Sequence, residues 1–378
     1  MAVFKKHDVA ADMHGITEGV IWKQMLLFFF PILLGTFFQQ LYNTVDAMVV
    51  GKFVGKQALA AVGGATGTLV NLIVGFFVGL SSGATVIISQ YFGAREENGV
   101  SRTVHTAIAM GLGGGLILSI AGIIVSPAIL RLMDTPEEVM TYATTYIRIY
   151  FAGMIPSLIY NIGSGILRAV GDSKRPLYFL ICACLVNIVL DIVLVLGLNM
   201  GVAGAALATA LSQGGSFIIL LVMCNTKEDA LSIKFSNFKP SLQIYGSICY
   251  NGIPSLGRQG IASVSTILLN NAAGVYGDAA IAAMSIVSRY TMFINSSVIG
   301  FGQGFQPVCG FSYGAGKYKR VREAFWFCVK VVTVILVVLC VISLLFSGQI
   351  VAVFRRDDPQ VIEIGTLALR FQLLTQPF

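Results

Sequence analysis

Charge is scarce in this 378-residue chain. Asp, Glu, Lys and Arg make up 11% of it, where a soluble domain carries roughly a quarter. Core helices of a large soluble protein would need far more charge between them, so that class is excluded. Histidine is nearly absent: His7, His14 and His105 stand apart, none with a carboxylate or cysteine at ligand spacing, so no metal centre is expected. The seven cysteines (182, 184, 224, 249, 309, 328 and 340) lie mostly in or beside apolar runs. They form no paired framework, and Cys182 and Cys184, two apart on a helix, face different sides. Asp357-Asp358 has no second acidic pair to complete a metal–diphosphate site, so it reads as a solvated loop. There is no nucleophile–base pair and no His-Glu-x-x-His, so a prenyltransferase or intramembrane protease finds no support. The chain reads as a non-enzyme without a cofactor. Gly111-Leu-Gly113-Gly-Gly115 and Gly300-Phe-Gly302-Gln-Gly304 superficially match phosphate loops, but they lie inside apolar runs with no preceding strand.

What the chain does have is long uncharged stretches. They run from 24 to 45, 57 to 94, 103 to 130, 149 to 167, 192 to 226, 259 to 277, 290 to 316 and 331 to 354. About 20 helical residues cross the hydrocarbon of a bilayer, so most of these can span alone. Gly, Pro and charge breaks predict helices near 17–48, 57–92, 98–129, 137–170, 174–197, 202–224, 242–273, 279–313, 319–348 and from 359 onward. Lys5, Lys6, Asp8, Asp12 and Glu18 precede the first run with no small-residue cleavage site after it, the pattern of a retained first span. The 25 Phe and 12 Met residues either face lipid or line a pocket, and their positions alone do not sort them.

The net charge of +7 is explained by where the cations fall. The arm as far as Lys23, with 93–102, 168–175, 225–240 and 314–322, holds fifteen Lys and Arg; the opposite loops hold five, Lys52, Lys56, Arg131, Arg355 and Arg356. The positive-inside rule places the N-terminus in the cytoplasm. A nucleic-acid footprint would be a basic stripe on one folded face, and no nucleic-acid partner is expected.

The chain is also written twice. Pro31, Gly55, Gly79, Gly83, Gly93 and Ala94 recur as Pro254, Gly277, Gly300, Gly304, Gly314 and Ala315, at an offset of 221 to 223 residues. That is too long for a solenoid repeat and fits duplication of a whole bundle. Six spans per copy is an even number, so both copies enter the membrane the same way up, related by an axis along the membrane normal. The expected architecture is therefore an all-α integral membrane protein of two pseudo-symmetric six-helix bundles, with lobes at 1–224 and 242–378 joined by a cytoplasmic linker at 225–241. Arg148 and Pro156 match Arg370 and Pro377, beside the last residue. The second copy is thus expected to stop within its tenth helix, about 70 residues short of the first, giving about ten helices of twelve.

Acids inside apolar spans cost roughly 2.5–3.5 kcal/mol each on insertion scales and need a reason. Asp46 ends the first span, and Asp191 lies 16 residues beyond Arg175 in the fifth. At about 1.5 Å per residue both fall in the outer half of the bilayer. Asn187 precedes Asp191 by four and shares its face. Asp46 could instead be an interfacial loop acid before Lys52. Two nearby carboxylates in a low-dielectric site repel when both are ionised, which favours a proton retained on at least one of them, the property a proton carrier needs. Gly75, Gly79 and Gly83 form a small-residue ridge suited to close helix packing.

The segment Phe38-Gln-Gln-Leu-Tyr-Asn-Thr-Val-Asp46-Ala-Met-Val-Val-Gly51 with Ala58-Leu-Ala-Ala-Val-Gly63 resembles the first helix pair of MATE (multidrug and toxic compound extrusion) transporters. So do Ser89-Gln-Tyr-Phe-Gly-Ala94, Leu167-Arg-Ala-Val-Gly-Asp172, Asn187-Ile-Val-Leu-Asp191, Gly204-Ala-Ala-Leu-Ala-Thr209, and Gly302-Gln-Gly-Phe-Gln-Pro307 followed by Tyr313-Gly-Ala315. The likeness covers the whole chain. It implies a two-lobed antiporter of a bacterial cytoplasmic membrane, working as a monomer, that expels cationic and often aromatic compounds against protons or sodium by alternating access. Its DinF-like branch implies a cation site at Asp46, Asn187, Asp191, Thr209 and Tyr146, open to Na+ or H+, and a bend at Pro31. The sodium-binding glutamate of the NorM-like branch has no match after Pro254, where Arg258, Gln259, Ala262 and Ser263 stand, and the counterpart of Asp46 falls near Leu269 to Asn271. The alternative within the same superfamily architecture is a lipid-linked oligosaccharide flippase, which would want a cationic cavity; Arg258 and Arg289 are its hints.

Overall fold

A computed structural model describes residues 19–63, 65–133, 135–225, 241–354 and 358–376. The N-terminal arm with Lys5, Lys6, His7, Asp8, Asp12, His14 and Glu18, the linker residues 226–240, and Arg355, Arg356, Asp357 and Pro377 lie outside the described residues.

The first copy of the repeat forms Ile21–Phe53 (α1), Lys56–Gly63 (α2), Ala65–Gly93 (α3), Glu97–Leu132 (α4), Glu137–Ala152 (α5), Met154–Ala169 (α6), Lys174–Asp191 (α7, running into a π-helical turn at Ile192–Gly197) and Gly201–Asn225 (α8). The second copy forms Leu242–Gly274 (α9), Asp278–Gly314 (α10), Tyr318–Leu345 (α11), Ser347–Phe354 (α12) and Pro359–Thr375 (α13). No strand occurs among the described residues. Without water to satisfy backbone groups, helices are the solution that apolar runs of this length allow. Among the described residues six helices are long and apolar enough to cross a bilayer alone, and the α5–α6 pair, taken as one bent span, makes a seventh. α9 and α10 have the length but carry Asn251, Arg258 and Gln259, and Arg289, Gln303 and Gln306.

Two breaks differ from the predicted helices. The fourth span, expected unbroken over 137–170, bends by 52° between α5 and α6. Pro156 has no N–H to return to Ala152, so the ladder fails there. Gly153 at the break also lets α8 approach: a Cβ on it would lie 2.5 Å from Ala210 Cβ. The ninth span, expected to end near 348, stops at Leu345 and resumes as α12.

The pairing of helices follows the duplication. α1 packs on α10 and α3 on α9, so the first and second spans of one copy meet the second and first of the other, while α3 and α10 touch across the axis. The predicted glycine ridge makes the second contact possible: Gly75 faces Gln259, Gly79 faces Leu256, and a Cβ on Gly252 would lie 2.8 Å from the Gly79 carbonyl oxygen. The repeat-related Gly93 and Gly314 sit at the axis, where a Cβ on Gly93 would lie 2.7 Å from Phe311 Cα and one on Gly314 2.9 Å from Ala94 N. Polar bonds close the same end. Gln306 Nε2 donates to Ser82 Oγ at 2.8 Å, and Arg320 donates to the Gly19 carbonyl at 2.6 Å and to Gln24 Oε1 at 3.1 Å.

Toward the opposite end the lobes part. Along the α1 stripe that faces α10, Met25, Phe28, Phe29 and Ile32 are buried, Thr36 and Gln40 half-buried, and Asn43 exposed. The matching stripe of α10 runs from buried Phe311, Val308 and Phe301 to exposed Phe293 and Arg289. The molecule therefore holds a conformation closed at the end where the chain starts.

Candidate functional site

Inside the first lobe, α1, α7 and α8 bring four polar side chains together in an otherwise apolar bundle. Asp46 lies one turn from Tyr42 and from Val50, and all three are buried. Asp46 is thus a helical, inward-facing acid and not an interfacial loop residue. Asn187 and Asp191 share the inward face of α7 and are almost wholly buried, at 1% and 0% exposure. The π-helical turn starts immediately after Asp191, an arrangement frequent at functional sites. Thr209 comes from α8, whose Ala205 and Ala206 pack tightly beside it.

The hydrogen bonds run in one direction. Asn187 Nδ2 donates to Thr209 Oγ1 at 3.5 Å, and Thr209 Oγ1 donates to Asp46 Oδ2 at 3.2 Å, sharing its proton with the Ala205 carbonyl at 3.2 Å. The Asp191 carboxyl lies within electrostatic reach of that of Asp46. Four buried oxygens are left without any donor: Asp46 Oδ1, Asn187 Oδ1 and both carboxyl oxygens of Asp191. Buried acceptors are nearly always satisfied, so each unsatisfied one asks for a partner. A set of hard oxygens on two helices is the chemistry that a proton or a small hard cation such as sodium would complete.

Tyr146 on α5 is buried against Val50, Val195 and Val202, within electrostatic reach of both carboxyls. Its ring stacks on that of Tyr150 with centroids 6.4 Å apart. Asp46, Asn187, Asp191, Thr209 and Tyr146 are therefore all gathered in one place. Pro31 sits apart, near the closed end, in an α1 that runs unbroken from Ile21 to Phe53.

Sequence reasoning missed two members of this environment. Tyr42, four residues before Asp46, is buried and interacts with Asp46, Gln39 and Gln213. Gln213, four residues after Thr209, has a buried Oε1 without a donor. Both extend the polar face by one helical turn, and that i±4 spacing was the available signal. Among the described residues no group of three or more His, Cys, Asp or Glu forms a metal cluster. In the second lobe the equivalent region carries no acid on α9, and the side chains of Asn270 and Asn271 lie outside the described residues.

Comparison with known proteins follows the same lines. The MatE family model matches residues 31–193 and 254–378, the two copies of the repeat. The probable multidrug resistance protein YoeA of Bacillus subtilis is 30% identical over 345 residues, 89% of this chain and 74% of YoeA. The multidrug export protein MepA of Staphylococcus aureus is 23% identical over 363 residues, 95% of this chain and 79% of MepA. Among solved structures, a MOP superfamily transporter from Pyrococcus furiosus superposes with a TM-score of 0.88 at 26% identity, over 96% of this chain and 81% of its own. A multidrug resistance transporter in an outward-facing conformation superposes with a TM-score of 0.86 at 26% identity, over 96% of this chain and 80% of its own.

Proposed function

The chain belongs to the MATE family of multidrug efflux transporters, and from that premise we propose that it is a secondary active antiporter. It exports cationic and aromatic compounds in exchange for protons or sodium, with the two lobes giving alternating access. It sits in a bacterial cytoplasmic membrane with its N-terminus inside, as a monomer.

The observation that carries this reading is the set of four donor-less oxygens around Asp46 and Asp191. Two neighbouring buried carboxyls, with the Thr209 hydroxyl donating to Asp46 and both Asp191 oxygens without a donor, are short of positive charge. One cation between them removes the repulsion and satisfies the oxygens. Thr209 and Asn187 hold the pair in register, and Tyr146 walls it on the α5 side. Pro31 removes one ladder bond of α1, which gives that helix a place to bend and to carry Asp46 with it. The lobe arrangement seen here, closed beside the chain's start, is on this orientation outward-open. A ligand shifts such an equilibrium only through differential affinity, so cation and drug must favour different arrangements or compete for one. The relatives' names favour drug efflux over transfer of a lipid-linked oligosaccharide, for which Arg258 and Arg289 were the hints.

Dye efflux from proteoliposomes tests the proposal. An imposed pH gradient and an imposed sodium gradient are compared, with Asp46→Asn as the control. At least one gradient should drive efflux and Asp46→Asn should abolish it. Efflux indifferent to both gradients would overturn antiport.

A further inference from the structure

The fourth span carries a charge that lies outside the cation site. Arg148 on α5 is the lone charged residue between Glu138 and Arg168, and its side chain is exposed. A cation within a span is costly and is held by a specific partner. Here the partner is a backbone carbonyl: Arg148 Nε donates to the Ile123 oxygen of α4 at 3.3 Å.

That carbonyl lacks a helical donor for a reason visible in the sequence. Pro127 stands four residues further on, inside α4, and has no N–H to return to Ile123. Ser126 Oγ reaches the same oxygen at 3.3 Å. The reverse arrangement lies one turn away. The break at Gly153 ends the ladder of α5, and Ser119 Oγ of α4 donates to the Phe151 carbonyl at 2.7 Å. Ser119, Gly122, Ile123 and Ser126 form one stripe of α4, and Arg148 and Phe151 lie one turn apart on α5. Between the two bonds Gly122 makes room for the Phe151 ring, which a Cβ there would strike. Each helix thus supplies a side chain to the other's interrupted ladder. The second copy repeats half of this: Arg370 matches Arg148 and Ser347 matches Ser126 at offsets of 222 and 221. Arg370 Nε donates to Ser347 Oγ at 2.9 Å, beside the α11–α12 break.

What these bonds hold is the angle of α5. Two residues before Arg148, and so on the opposite side of the helix, Tyr146 is buried among Val50, Val195 and Val202, within electrostatic reach of Asp46 and Asp191. At the break, Gly153 packs on Ala210, the neighbour of Thr209. A change in the bend would draw Tyr146 away from the carboxyls and admit water beside them.

We propose that Arg148, with Ser119, is a positioning residue for the coupling-cation site: the two cross-bonds fix the bend of the fourth span and so keep Tyr146 against the carboxyl pair. This rests on the antiport reading above.

Two measurements test it. Spin labels on Thr141→Cys and Lys174→Cys, both exposed positions on either side of the bend, report its angle by pulsed electron resonance in a background without the native cysteines. Arg148→Leu, which suits the lipid, and Ser119→Ala should each broaden the distance distribution. Arg148→Lys should keep it narrow, because its ammonium sits one bond beyond the position of Nε. In proteoliposomes Arg148→Leu should raise the coupling-ion concentration for half-maximal efflux about 10-fold, the lower end for one hydrogen bond to a charged group, with Arg148→Lys near the parent. In a Tyr146→Ala background Arg148→Leu should add less than about 2-fold, since the residue it positions is gone. An unbroadened distribution in Arg148→Leu and Ser119→Ala would overturn the proposal. So would an unchanged ion concentration in Arg148→Leu, or an equal shift with and without Tyr146→Ala. If no gradient drives the parent, the antiport reading fails, and the label distances alone decide whether the cross-bonds fix the bend.

Discussion

Replacing Gly83 with alanine puts a methyl group into the contact that closes the lobes. The new Cβ would lie 2.9 Å from Gly252 N and against the Ile248 carbonyl oxygen, both backbone atoms of α9. Backbone cannot rotate aside as a side chain can, so α3 and α9 must separate locally. Overpacking of this kind costs about 1–3 kcal/mol, equivalent to a 5- to 150-fold shift of a two-state equilibrium. The strain is felt only where this end is closed, so the shift is toward opening. Gly113→Ala is the control: it too adds a methyl to a long helix, but its Cβ meets nothing within 4 Å. The assay is alkylation of Ser255→Cys, in a background without the native cysteines, by an impermeant maleimide from the N-terminal side. Ser255 lies beside Ser82 at this closure, 3.4 Å between hydroxyl oxygens. Gly83→Ala should raise the labelling rate by the stated factor and Gly113→Ala should leave it unchanged. Equal rates in the parent, Gly83→Ala and Gly113→Ala would refute the assignment of this contact as the closed gate.

Three further outcomes follow from the geometry. Thr209→Ala removes the hydroxyl that donates to Asp46, a bond to a charged group of about 1.5–3 kcal/mol; the concentration of coupling ion for half-maximal efflux should change roughly 10- to 150-fold, with Thr209→Ser near the parent. Gln306→Ala deletes the bond to Ser82 across the lobes, worth about 0.5–1.5 kcal/mol, and should raise the labelling of Ser255→Cys by about 2- to 12-fold. Gly122→Val would drive a side chain into the Phe151 ring within the first lobe's core. It should destabilise the protein by about 1–3 kcal/mol, seen as a lower midpoint in detergent melting, without altering the labelling of Ser255→Cys in folded protein.

The span limits were legible because charge marks them: Lys52, Arg95, Arg131 and Lys174 flank helices that end or begin within a few residues. The glycine ridge on α3 was legible as a packing surface, but its partner was not, since nothing in Gly75, Gly79 or Gly83 names α9. The bend at Gly153 escaped notice although Pro156 was in view, because apolar composition continues across it. The π-helical turn after Asp191 is equally silent in composition. At the site, the cost of an intramembrane acid pointed to Asp46 and Asp191, and the Asn187–Asp191 spacing to a shared face. Thr209 and Tyr146 came only with the family resemblance, since a threonine or a tyrosine in an apolar span carries no such penalty. Tyr42 and Gln213 were missed for the same reason, although each lies one turn from a named site residue.

The central claim is that Asp46 and Asp191 together hold one exchangeable cation. Infrared difference spectra of the purified protein, recorded on adding sodium or a transported dye, test it most directly. A protonated-carboxyl band should be lost or shifted on addition, and Asp46→Asn and Asp191→Asn should each abolish that change. A difference spectrum without a carboxyl signal, or one that survives both substitutions, would contradict the account.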